Sequence, residues 1–231
     1  QINITTGTLS TSVTLYGQCY DECLPPENFT LSCSGSTVNL SWSTPTVSPA
    51  APSTLSWCTN MSSVRWGSGT KATMVHRYEP PDLTQHSNRA LTAISFATYN
   101  TSTVTKCKVV VYKGGSYTGS TYNAGTLVYE QEVPLSSLSS SEWTWNTIAL
   151  TTPVPIDITQ ELWFGVYMEY SGTLYYLAHN GTTIVPNKSN IYSTNNGNSW
   201  QNYNSGSYCL KATVKDIPMT VDHYQIDRNG S

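Results

Sequence analysis

The residues of this chain that could do chemistry are six cysteines, four histidines and a scatter of carboxylates. Cys19, Cys23, Cys33, Cys58, Cys107 and Cys209 include one close pair, Cys19-x3-Cys23. As half of a zinc site that pair lacks its complement, because neither a second cysteine pair nor a spaced histidine pair follows. An even count in a secreted-looking chain favours disulfides over thiol chemistry. Nucleophilic catalysis needs a base within hydrogen-bond reach of a serine or cysteine. His76, His86, His179 and His223 sit in turn-like surroundings, and no Gly-x-Ser-x-Gly elbow occurs. They are read as surface or loop histidines. Glycoside hydrolysis needs two opposed carboxylates. Glu79, Asp82, Glu130, Glu132, Asp157, Glu161 and Glu169 are available, and spacing selects no pair among them. Glu130 and Glu132 share one strand face, as on a solvated edge. The sequence predicts no enzyme.

Aromatic rings are the better lead. Tyr occurs 16 times and Trp 7 times against 3 Phe, and rings in loops stack on sugar faces or anchor protein partners. Trp66, Tyr117, Tyr122, Tyr175, Tyr176, Trp200 and Tyr203 lie in or beside expected loops and are the candidate ligand-binding set. Trp143, Trp145 and Trp163 are assigned to sandwich packing. A contiguous exposed aromatic patch points to a binding module, and a uniform Ser/Thr/Asn surface to a spacer.

The elements that must position these rings read as β throughout. Charged residues are only 11% of the chain, against roughly 25% in an average soluble protein, while 38% are apolar. That balance supports a core and argues against disorder. A net charge of −3 with scattered Lys and Arg leaves no footprint for nucleic acid or an anionic membrane. No apolar stretch approaches the ~18 residues of a membrane span. Residues 29–33 and 38–42 alternate with period two around a Ser-Gly turn, and residues 44–52 (TPTVSPAAP) form a Pro-rich boundary. Residues 91–96, 104–112, 162–168 and 208–214 alternate likewise, with Leu162, Phe164, Val166 and Met168 on one face and Trp163 and Tyr167 on the other. Turn clusters separate many short strands, which means a sandwich. The chain opens at Gln1 with no signal peptide and closes on a strand running into Asn229-Gly230. It is therefore expected to be a processed or excised segment.

The ordered series residues 77–83 (RYEPPDL), 109–115 (VVVYKGG), 125–133 (GTLVYEQEV), 145–150 (WNTIAL), 161–165 (ELWFG) and 187–192 (NKSNIY) resembles the cleaved-adhesin family, jelly-roll domains of gingipain haemagglutinin regions. The likeness covers about residues 55–214. Residues 26–31 with 38–42, and 224–230, are similar to strands of a fibronectin type III or immunoglobulin-like domain interrupted by the central block. The resemblance implies an all-β antiparallel jelly-roll sandwich with a small incomplete immunoglobulin-like appendage. Residues 1–45 and 216–231 are assigned to that appendage, 46–54 to a linker and 55–215 to the jelly roll. It further implies a secreted or cell-surface bacterial module attaching to host extracellular protein or glycan, alongside other domains of the same polypeptide. The alternative is a spacer in a larger secreted hydrolase or peptidase. No cofactor is expected, since the acidic cluster that accompanies calcium in some members is missing here. In a jelly roll the first and last strands run side by side, so a Cys58–Cys209 disulfide is expected, with Cys107 buried and left over.

Overall fold

A computed structural model of the chain describes residues 2–6, 9–17, 27–34, 37–43, 50–58, 60–67, 69–172, 174–181, 183–203, 205–217 and 224–228. It divides into two compact units, Gln1–Pro49 with Pro218–Ser231, and Ala50–Ile217. In the first, β1 (Ile2–Thr6) pairs with β2 (Leu9–Gly17), and β3 (Glu27–Ser34) pairs with β4 (Thr37–Ser43), both antiparallel. The alternating residues 29–42 make this second hairpin, with Leu31 opposite Leu40.

The second unit is an antiparallel β-sandwich. Its strands are β5 (Ser53–Ser56), β6 (Ser63–Gly67), β7 (Lys71–Tyr78), β8 (Arg89–Thr98), β9 (Val104–Tyr117), β10 (Tyr122–Asn123), β11 (Thr126–Glu132), β12 (Thr144–Pro155), β13 (Glu161–Tyr170), β14 (Leu174–His179), β15 (Ile191–Ser193), β16 (Gln201–Asn202) and β17 (Leu210–Asp216). One sheet runs β10-β9-β13-β7-β15-β16, with β11 also paired to β9, and the facing sheet runs β12-β8-β17-β5. A one-turn helix, α1 (Pro80–Leu83), follows β7; Pro80 and Pro81 suit its first turn, and Glu79 and Asp82 form a capping box. The last strand, β18 (Tyr224–Arg228), returns to the first unit.

Side-chain alternation builds the core. Leu162, Phe164, Val166 and Met168 of β13 pack with Cys107, Val109 and Val111 of β9 and with Leu91, Ile94 and Phe96 of β8. Trp163 and Tyr167 project from the other face, where Trp163 joins Val75, Val110, Ile191 and Trp200 in a second cluster. β13 is thus the central strand, buried on both sides at Trp163. Gly115 permits β9 to bend over that indole, because a Cβ there would lie 2.6 Å from Trp163 Nε1 and from the Asn123 carbonyl.

The first and last strands of the sandwich, β5 and β17, lie side by side, with Leu55 opposite Ala212. Cys58 follows β5 by two residues and Cys209 immediately precedes β17; the two are disulfide-bonded with Cα atoms 5.0 Å apart. Cys107 is a free, buried thiol, its pKa pushed up to about 12 by burial. Cys19 and Cys23, and the Cys33 side chain, lie outside the described residues.

Residues 224–228, assigned with 1–45 to the appendage, form β18, which pairs with β2 on the edge opposite β1. Residues 221–223 lie outside the described set. β5 begins at Ser53, directly after the Pro-rich residues 44–52, of which 44–49 lie outside the described residues.

Candidate binding groove

The outer face of the larger sheet is ordered by register. In an antiparallel pair, residues directly opposite point to the same face. One row therefore runs Leu127–Tyr112–Trp163–Arg77, the next Glu130–Val110–Gly165–Val75, the next Lys108–Tyr167–Thr73, and the last Lys106–Glu169–Lys71. In the first row Trp163 and Arg77 are buried, whereas Tyr112 is half-buried and Leu127 is exposed. In the lower rows Val75, Val110 and Thr73 are buried, while Glu130, Lys106, Lys108, Tyr167 and Glu169 keep part of their surface exposed. Between them lies a groove of about 280 Å³, lined by Thr73, Lys106, Lys108, Val110, Tyr112, Leu127, Glu130, Tyr167, Glu169 and Asn196.

The polar groups in the groove hold one another in place. Lys108 Nζ donates to Glu130 Oε1 at 2.7 Å, and the Tyr167 hydroxyl donates to Glu169 Oε1 at 2.7 Å. Both groove tyrosines are neutral phenols. Burial, then the Glu169 hydrogen bond, raises Tyr167 to about 12; burial and the Glu130 charge raise Tyr112 to about 12. Tyr112 is braced from behind by Trp200 edge-on at 5.6 Å, and Trp200 by Trp163 at 5.6 Å.

A separate ion cluster gathers around Arg77 at the end of β7. Arg77, 3% exposed, donates to both oxygens of Glu161, one at 2.7 Å, and pairs with Glu79 at 2.9 Å. Lys188 joins Glu79 and Asp82, each at 2.7 Å. The Lys188 hydrogen bond, ahead of the Arg77 charge, holds the Glu79 carboxyl below its usual range. Trp163 Nε1 donates to Glu161 at 2.8 Å. Three of the carboxylates available for a hydrolytic pair are thus engaged with cations in a structural network. Among the described residues, no group of three or more His, Cys, Asp or Glu side chains is placed to hold a metal ion.

The sequence-predicted rings disperse. Tyr117 stacks on Tyr122 at 4.4 Å, and Tyr122 leans edge-on against Trp163. Trp200 is 8% exposed and packs with Trp163 and Tyr122, and of these rings it is Trp200 that meets the groove-lining Tyr112. Tyr176 is 4% exposed and packed in the main core, which removes it as a contact ring. Tyr203 lies edge-on to His179. Tyr175 tilts against Tyr99, which in turn meets Trp143 at 5.1 Å. The Trp66 side chain is outside the described residues. Trp143, assigned to packing, is instead 37% exposed in a left-handed turn with φ 58°. Sequence reading missed the groove itself; the one available signal was the polar alternation of Lys106 and Lys108 against buried Cys107 and Val109.

The histidines also differ from expectation, because His76, His86 and His179 are all buried. His76 Nε2 lies 2.9 Å from the Tyr208 carbonyl oxygen, so that nitrogen carries the proton of a neutral ring. Burial pulls its pKa down to about 3. Its unfolded value is about 6.5, so above that pH neither state binds the proton and nothing is lost. Below 6.5 the unfolded chain gains a proton that the folded chain refuses. Stability then falls by up to about 1.4 kcal/mol per pH unit until about pH 3. Between pH 6.5 and 4.5 the wild type should lose melting temperature, and His76→Gln should lose clearly less. Equal losses in thermal melts of the two proteins would assign the acid sensitivity elsewhere, with His86 and His179, whose pKa values burial also lowers, next in line.

No family model, no curated protein and no solved structure matches this chain. Among the described residues, no helix is long and apolar enough to cross a membrane.

Proposed function

We propose that this chain is a non-catalytic extracellular binding module of a larger secreted or cell-surface protein, attaching it to host extracellular protein or glycan. The observation that carries the reading is the groove on the outer sheet face, where Tyr112 and Tyr167, both half-buried, sit among ion-paired side chains. A spacer has no need of such a surface. The Cys58–Cys209 bond supports an oxidising compartment, and the low charge content suits an exposed β-module. The short segments resembling cleaved-adhesin domains point the same way. Immobilised full chain should retain host matrix proteins or glycans in a binding screen, and Tyr167→Ala should reduce that retention. Equal retention by Tyr167→Ala would dissociate binding from the groove, and no retention at all would favour the spacer.

A further inference from the structure

Resting on that reading, we infer that the groove takes a neutral oligosaccharide, laid across the strands β11, β9, β13 and β7 with a sugar face against Tyr167.

The chemistry of the lining selects this class. Two lysines, Lys106 and Lys108, stand with two glutamates, Glu130 and Glu169, so the formal charges of the groove cancel. An anionic chain meets the two carboxylates and a cationic peptide meets the two ammonium groups. A sugar hydroxyl both donates and accepts, and neighbouring hydroxyls suit a wall on which donors and acceptors alternate. Lys108 beside Glu130, and the Tyr167 hydroxyl beside Glu169, are two such couples already fixed by their own 2.7 Å bonds. The exposed Asn196 adds an amide that does both.

Apolar contact comes from the exposed Leu127 and the two half-buried phenol rings, over a floor at the buried Val110. Of the two rings, Tyr112 is held upright by Trp200. A rigid ring costs little ordering entropy when a ligand stacks on it. The volume, about 280 Å³, lies near the ~300 Å³ lower end of small-ligand sites, which suits a short stretch of a chain. Extended peptides are gripped through main-chain bonds at a strand edge. This groove lies on the sheet face, where β9, β13 and β7 are paired on both sides.

The test uses the intact chain on a printed array of neutral hexose and N-acetylhexosamine oligosaccharides, with sialylated and sulfated forms and denatured collagen alongside. Binding to neutral glycans is expected, falling about tenfold or more in Tyr167→Ala. Tyr167→Phe keeps the ring and should retain most of the affinity, which separates stacking from misfolding. Trp143→Ala, at the exposed aromatic group away from the groove, should bind as the wild type does. Affinity should hold from about 50 to about 500 mM salt, since no net charge is engaged. Groove-dependent binding to sulfated glycans or collagen overturns the neutral-glycan inference and leaves the binding module standing. Glycan binding lost in Trp143→Ala but kept in Tyr167→Ala overturns the site. No binding to any probe overturns both.

Discussion

A variant with both Cys58 and Cys209 replaced by alanine is expected to lose about 3–5 kcal/mol of folding stability. The bond closes a loop across a sequence separation of 151 residues, nearly the whole sandwich. In the chain-entropy model such a constraint on the unfolded state is worth about 5 kcal/mol. Its removal also loosens the start of the sandwich, because β5 is a four-residue edge strand whose ladder partner among the described residues is β17. Cys209 is fully buried against Ala97 and Ala178, with Met61 and Trp145 packed alongside, so alanine leaves part of that site unfilled. At roughly 2–4 °C per kcal/mol for a domain of this size, the melting point should drop by about 10 °C or more. A drop of only a degree or two on thermal melting would mean that the strand pairing alone fixes this end of the sandwich. Non-reducing peptide mapping should recover a Cys58–Cys209 linked peptide, with Cys107 as a free thiol.

Phe164→Ala should cost about 3–5 kcal/mol. Phe164 is fully buried at the middle of β13, between Val111 of β9 and His76 of β7. Its ring stacks on Tyr78 at 5.4 Å and meets His76 edge-on at 6.1 Å. The neighbours it would leave behind belong to two paired strands and cannot collapse inward without breaking their ladders. Trp57 extends the stack beyond Tyr78 at 4.7 Å, so the cavity would lie beneath a continuous column of rings. Urea unfolding of the two proteins reads this loss directly. A midpoint unchanged from wild type would mean that Phe164 does not face the core.

Period-two patterning made β13 legible, because the residues of one face, Leu162 to Met168, are all apolar and their partners on β9 obey the same rule. It could not reveal that Trp163 is equally buried, since the cover comes from Tyr122, Ala124, Ile191 and Trp200, which are distant in sequence. The same packing turned Trp200 from an expected contact ring into a supporting one. Trp143 went the other way, because strand flanks at a left-handed turn look like strand until the backbone is seen. The disulfide followed from the first and last strands of the sandwich being neighbours. The partner of β18 did not, because either edge of the first unit suited the pattern at residues 224–228. The groove was the least legible feature. Lys108, Tyr167 and Thr73 lie far apart in sequence, and only the registers β9–β13 and β13–β7 set them side by side. Asn196 reaches the same groove from the loop after β15, which no spacing rule anticipates.

Amide and methyl chemical-shift mapping of the intact chain, titrated with the neutral oligosaccharide that gives the strongest array signal, tests most directly that the outer sheet face is the binding surface. Saturable shifts are expected at Thr73, Lys108, Val110, Tyr112, Tyr167 and Asn196, with Tyr99, Trp143 and Tyr175 unmoved. Shifts gathered at Tyr99, Trp143 and Tyr175, or a titration that leaves the groove residues where they were, would contradict that assignment.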